Sequence, residues 1–122
     1  MLLGRYYTRI SSKGRLALPF RFKNQVGVKF VVARWYENCL LIVSLASWED
    51  FLKRFTKPNE VITEDIRDLD RFILGSSFLV DTDSQGRFVV PKFLRDYARL
   101  IDEVVFIGLG DRVELWSKEN WD

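Results

Sequence analysis

Four apolar runs punctuate the second part of each half of the chain: KFVVA (29–33), CLLIV (39–43), EVVFIG (103–108) and RVELW (112–116). Their β-branched and aliphatic content predicts strands. The short interruptions RWYEN and LGD predict that the four strands pair as two hairpins. Ahead of each hairpin stands nearly the same phrase, SSKGRLALP at 11–19 and DSQGRFVVP at 83–91, in which Ser12/Ser84, Gly14/Gly86, Arg15/Arg87 and Pro19/Pro91 coincide at a spacing of 72. Gly14 and Gly86 sit where a tight turn requires positive φ. Pro19 and Pro91 suit the start of short helices, where a missing N–H has no helical partner. In PKFLRDYARLI the helical period puts Leu94, Tyr97, Ala98 and Ile101 on one face.

The repetition extends further. Leu3-Gly4 and Leu74-Gly75 precede the two phrases, and LLIVSLASW (40–48) matches VELWSKENW (113–121) through Ser44/Ser117 and Trp48/Trp121 at a spacing of 73. Between the copies lie two helical patterns. The first takes Ser47 as N-cap, with Glu49 and Asp50 in its first turn. Trp48, Phe51, Leu52 and Phe55 form its stripe, Lys53, Arg54 and Lys57 lie toward its end, and Pro58 follows. The second runs from Thr63 to Leu74 with Ile66, Leu69 and Ile73 apolar and Gly75 at its C-terminus.

These elements predict one α+β, mainly β domain over 1–122, with repeat 1 at about 1–57, repeat 2 at about 74–122 and a linking helix at about 63–74. Four short strands per copy cannot bury a two-sided sheet alone, so a single closed barrel built from both copies is expected. That architecture accounts for the glycines and prolines. It has no need of Lys13, Arg15 or Arg87.

Charge changes the picture. The net charge is only +2, yet residues 1–34 carry Arg5, Arg9, Lys13, Arg15, Arg21, Lys23, Lys29 and Arg34 with no acid before Glu37. Residues 1–60 hold 11 basic and 4 acidic side chains, net +7, whereas 61–122 hold 8 and 13, net −5. A polyanionic partner for the N-terminal half follows, with an ordinary solvated basic face as the plainer alternative. The single cysteine, Cys39, lies beside Leu40, Leu41 and Ile42 and reads as a small buried hydrophobe in a cytosolic protein. MLLG is too short for a signal segment, and no apolar run approaches the roughly 18 residues of a membrane span.

Catalysis is disfavoured by the absence of histidine and of any nucleophile elbow, P-loop or GxGxxG. DTDSQG (81–86) begins like a calcium loop, but Lys92 falls where the bidentate glutamate belongs. No cofactor, metal or small-molecule substrate is expected. Trp35, Trp48, Trp116 and Trp121 open a further reading as a protein-interaction module, with Trp48 and Trp116 assigned rather to the core.

With two Gly-Arg turns in register, each followed by apolar residues and proline, two central helices and a closing strand into Ser-x-x-x-Trp, the chain resembles the MraZ family of the AbrB superfamily (SpoVT-AbrB domains) over almost its whole length. The resemblance implies a pseudo-twofold swapped-hairpin, double-ψ-like β-barrel and a ring of subunits. It also implies repression of the family's division and cell-wall gene cluster, with cytoplasmic, nucleoid-associated localisation. In that family the basic turns face double-stranded DNA, which points here to Lys13, Arg15 and Arg87, with Arg5 and Arg9 adding charge nearby. Ser11 stands where the family has its first Asp and Gln85 where a lysine is usual, and the sequence given ends at Asp122 without the C-terminal extension of some members. An antitoxin-like AbrB module acting through a partner protein is the alternative.

Phosphate neutralisation needs clustered cations, and base reading needs a guanidinium presented rigidly to the O6 and N7 acceptors of guanine. Arg15 beside Gly14 fits the second role and Lys13 the first. Asp81 and Asp83 near Arg87 predict an ion pair that stabilises its turn or a subunit contact, and hence a smaller part in DNA binding.

Overall fold

The computed structural model describes residues 1–54 and 64–122. In chain order the first copy comprises β1 (Leu2–Arg9), β2 (Arg15–Ala17), α1 (Phe20–Val26), β3 (Lys29–Arg34), β4 (Leu40–Ser44) and α2 (Leu45–Leu52). After α3 (Glu64–Ile73) the second comprises β5 (Phe78–Asp81), β6 (Arg87–Val89), α4 (Lys92–Ala98), β7 (Glu103–Gly110), β8 (Val113–Ser117) and α5 (Lys118–Trp121). Both predicted hairpins form. β3–β4 turns through Glu37 and Asn38 in the left-handed region, and β7–β8 turns beside Gly110, φ 86°.

The strands assemble into one antiparallel six-stranded sheet, β1-β7-β8-β4-β3-β5, and a separate two-stranded ribbon of β2 and β6. Exchanging each strand for its counterpart in the other copy reverses the sheet order onto itself. The first strand of each copy pairs with the third strand of the other, β1 with β7 and β5 with β3. At the centre, Leu41 pairs with its repeat-mate Glu114, and in the ribbon Leu16 pairs with its repeat-mate Phe88. A residue opposite its own repeat-mate marks a pseudo-twofold axis, and both pairs lie on it.

The sheet does not close into the expected barrel. β2 and β6 hydrogen-bond as strands only to each other, and β1 and β5 remain its edges. The reason is the demand for burial on both sheet faces. Leu2, Phe30, Ile42, Phe106 and Leu115 point to one face, where Leu16, Phe88, Phe22 and Leu94 of the ribbon, α1 and α4 cover them. Leu41, Val43, Val105, Ile107 and Trp116 point to the other, under Phe51 of α2, Ile73 of α3 and the half-buried Trp48 and Trp121. The ribbon, α1 and α4 thus fill the face that a barrel would turn to its interior. Each fully buried Phe or Leu contributes about 1.5–3 kcal/mol, so both covered faces stabilise the open sheet.

Other expectations change locally. Helix α2 starts earlier than Ser47: Ser44 is its N-cap and accepts from the Ser47 N–H. Ser117 caps α5 the same way through the Asn120 N–H, so the Ser-x-x-x-Trp repeat is a repeated cap. Helix α4 ends at Ala98 because Arg99 turns left-handed (φ 56°), which leaves Ile101 82% exposed instead of on the buried face. Helix α3 ends at Ile73 and passes into a 3-10 turn, Leu74–Ser76, where the Ser76 and Ser77 hydroxyls donate to the Ile73 carbonyl; Gly75 is not the terminator. Gly4 lies inside β1 whereas Gly75 lies in that turn, so Leu-Gly is not a structural repeat. Phe55, Lys57, Pro58 and Thr63 fall outside the described residues.

Candidate nucleic-acid interface

The two Gly-Arg turns are built alike from their own backbone. In the first, Gly14 N–H donates to Ser11 O (2.9 Å), Ser11 N–H to Arg15 O (3.1 Å), and Arg15 N–H to Ser11 Oγ (3.0 Å). In the second, Gly86 N–H donates to Asp83 O (3.0 Å) and Asp83 N–H to Arg87 O (3.1 Å). Asp83 Oδ1 then accepts from both Gln85 and Arg87 N–H at 2.9 Å. Gly14 and Gly86 have φ of 82° and 76°, as the sequence required. Pro19 and Pro91 each stand just before the first helical residue, of α1 and α4.

The turns feed β2 and β6, and strand alternation sorts their side chains. Leu16 and Phe88 point into the core; Arg15, Ala17, Arg87 and Val89 point out. Arg15 is opposite Val89 and Arg87 opposite Ala17, so the two arginines lie diagonally on one outer face, about 7 Å apart at their origins. Both line a shallow groove of about 400 Å³ with Phe78, Leu79, Asp81, Asp83 and Val89.

Their electrostatic surroundings differ. Arg87 Nε donates to Asp83 Oδ2 at 2.8 Å. The Arg87 backbone N–H, then its guanidinium, hold the Asp83 carboxyl below the ordinary aspartate value of 3.8. Asp81 also lines the groove, but Arg87 takes Asp83 as its partner. No acid stands in the first turn: among the described residues the exposed side chains of Lys13 and Arg15 have no partner.

The structure does not gather Arg5 and Arg9 with them. In β1 these residues pair with Ile107 and Glu103, on the sheet face turned away from the ribbon. Arg9 is further consumed by ion pairs to Asp102 (3.0 Å) and Glu103 (3.1 Å). Of the four tryptophans, Trp35 and Trp116 are buried, and Trp48 and Trp121 are half-buried against the hydrophobic cluster on the sheet face away from the ribbon. Cys39 is buried as read, its thiol donating to Tyr36 O at 3.3 Å and pushed up by burial. No metal-binding group of His, Cys, Asp and Glu occurs among the described residues, and no described helix is long and apolar enough to cross a membrane.

Sequence reasoning counts Lys23 only as charge and misses Arg95. Lys23 Nζ reaches across to Gln85 O in the second turn (3.0 Å), and Arg95 reaches to Ser12 O in the first (3.2 Å). Their spacing of 72 is the signal that could have found them.

A family model described as "MraZ protein, putative antitoxin-like" matches residues 1–72 and again 73–122, one match for each half of this pseudo-twofold fold. The chain belongs to the MraZ family. It is 38% identical over 122 residues to the transcriptional regulator MraZ of Caldanaerobacter subterraneus subsp. tengcongensis, covering all of this chain and 85% of that protein. The Dictyoglomus turgidum protein of the same name is 39% identical, with 100% and 83% covered. That of Leuconostoc mesenteroides is 37% identical, with 99% and 84% covered.

Proposed function

We propose that this MraZ chain is a non-catalytic, sequence-specific DNA-binding transcriptional regulator that reads DNA with the outer face of its two-stranded ribbon, led by the first Gly-Arg turn. The name of its relatives supports regulation of transcription. The observation that carries the rest is the pairing of an acid-free, unpartnered Lys13/Arg15 turn with a ribbon whose other face is locked into the core. Two strands lie roughly 4.8 Å apart, so such a ribbon with its side chains fits a major groove about 12 Å wide. Arginines about 7 Å apart span about two base-pair steps of 3.4 Å. Arg15 reads guanine, Lys13 neutralises phosphate, and Arg87 assists while bound to Asp83.

One ribbon makes few contacts, and a multimer, a ring in the family's manner, repeats them along the duplex to raise affinity through effective concentration. In keeping with the family resemblance, the regulator acts in this reading at the promoter of a division and cell-wall gene cluster, with repression as the outcome and the nucleoid as the location.

The test is affinity for duplex DNA from upstream of its own gene against scrambled duplex across salt, with sizing by light scattering. Arg15→Ala should lose about 5- to 150-fold in promoter affinity, the worth of one bidentate guanine contact. Lys13→Ala should weaken all DNA alike and reduce the log-log salt slope by about 0.9 per phosphate. Arg87→Ala should lose less than Arg15→Ala. The assembly should exceed the 14.4 kDa monomer several times over. Equal, salt-independent binding to both duplexes would overturn the reading, and nuclease-resistant capture of a partner protein would favour the antitoxin-like alternative.

A further inference from the structure

We infer that Arg95 is a positioning residue for the first basic turn, so that the element offered to DNA is built by both repeats; this rests on the DNA-binding reading above. Arg95 projects from α4, four residues after Pro91, and its guanidinium lies where Gly14 lacks a side chain. A Cβ on Gly14 would come within 2.8 Å of Arg95 Nε and 2.9 Å of its Cζ. The guanidinium donates to Ser12 O at 3.2 Å while Nε is buried with no acceptor. That orphaned donor carries a cost, so its placement is imposed by the turn and the helix together.

The other copy repeats the device. Lys23, four residues after Pro19, donates to Gln85 O at 3.0 Å, and a Cβ on Gly86 would meet its Cε at 2.5 Å. Backbone bonds complete the exchange: Val90 N–H to Gly14 O (2.8 Å) and Leu18 N–H to Gly86 O (3.0 Å). Each turn is therefore clasped by the helix of the opposite repeat. The glycines serve two needs at once, a positive φ and room for the visiting cation.

The clasp matters unequally. Asp83 braces the second turn from within through two backbone N–H groups and the Arg87 guanidinium. Ser11 Oγ in the first turn accepts only the Arg15 N–H. The turn that presents Arg15 lacks the internal carboxylate, and Arg95 supplies the missing constraint from outside. A guanidinium positioned this way fixes the backbone from which Arg15 departs, and misplacement of a reading side chain by about 1 Å removes the benefit of its geometry.

The experiment compares Arg95→Met, which keeps the stem, with Arg95→Lys, which restores a donor of the kind Lys23 provides. Binding to the upstream duplex and to scrambled duplex is measured across salt, with amide exchange at Gly14 and Arg15. Arg95→Met should lose about tenfold in affinity for the upstream duplex, the low range of one guanine contact, with scrambled binding and salt slope unchanged. Exchange at both amides should quicken by about tenfold as the turn opens locally, and Arg95→Lys should recover most of both losses. A slope reduced by about 0.9 would make Arg95 a direct phosphate contact instead. A lowered melting temperature with an unchanged ratio of upstream to scrambled affinity would make it merely structural, and either result overturns the proposal. Should the wild type fail to discriminate the duplexes, the DNA reading fails. Amide exchange then judges the clasp alone, and unchanged exchange in Arg95→Met overturns it.

Discussion

Gly14 and Gly86 are repeat-mates with the same backbone conformation, yet replacing each by alanine should cost different amounts. A non-glycine residue in the left-handed region costs roughly 1–2 kcal/mol, and that part is common to both. The added Cβ meets different atoms. At Gly86 it conflicts with Lys23 Cε at 2.5 Å, the far end of a flexible side chain that can swing away and give up one exposed hydrogen bond. At Gly14 it conflicts with Val90 O at 2.8 Å, which is backbone, as well as with the Arg95 guanidinium. Val90 cannot withdraw freely, because its N–H donates to Gly14 O at 2.8 Å and its side chain is buried in the core. Stretching that bond forfeits about 0.5–1.5 kcal/mol. Gly14→Ala should therefore lose about 3 kcal/mol and Gly86→Ala about 1.5 kcal/mol. At about 4 °C per kcal/mol for a chain of this size, the melting temperatures should fall by about 12 and 6 °C. Thermal and urea denaturation at one fixed protein concentration is the assay, since any assembly makes stability concentration-dependent. Equal losses, or a greater loss for Gly86→Ala, would refute the reciprocal clasp as the cause of glycine at these positions.

Two further outcomes are expected. Asp83 has its carboxyl depressed below 3.8, so its contribution to stability is fully present above its unfolded value and is lost as pH falls through the lower folded value. Carbon-13 titration of its carboxyl should give a midpoint below 3.8, and a midpoint at or above 3.8 would contradict the three hydrogen bonds drawn to it. Cys39, buried with its thiol pushed up, should resist alkylation in the native protein and react only as fast as the chain unfolds, whereas rapid labelling would show that the second core is open.

What was legible in the sequence was local. Positive φ at Gly14 and Gly86, helix starts after Pro19 and Pro91, and two hairpins all follow from a few adjacent residues, and each is present. The twofold plan was legible because spacing carries over long distances without any contact being known. The sheet stays open where a closed barrel is expected, and its central strands bury both faces. Val104 to Ile107 are buried without interruption, as are Leu40 to Val43, and an unbroken run signals a sheet covered on both sides. Ser47 lies inside α2, and the cap is Ser44, whose φ of −56° and ψ of 146° are non-helical. Arg9 counted toward a basic patch because Asp102 and Glu103, which neutralise it, lie more than ninety positions away in the sequence.

The repeat carries two kinds of cation, and they diverge differently between the copies. Inward cations, Lys23 and Arg95, are both kept because each fills the space beside a glycine of the opposite turn and donates to a carbonyl there. Losing either would remove a donor from the opposite turn. Outward positions are free of that constraint, and there the copies part: Ser11 and Lys13 in one, Asp83 and Gln85 in the other. An aspartate at the first position of the turn braces it but captures the arginine four residues on, as Asp83 captures Arg87. A serine braces it less and leaves the arginine unpaired, as with Arg15. Bracing from within and offering an uncompensated guanidinium are thus opposed at a single residue. A fold in which each turn is also held by the other repeat relaxes that opposition, because the first turn can give up its carboxylate while Arg95 still holds it.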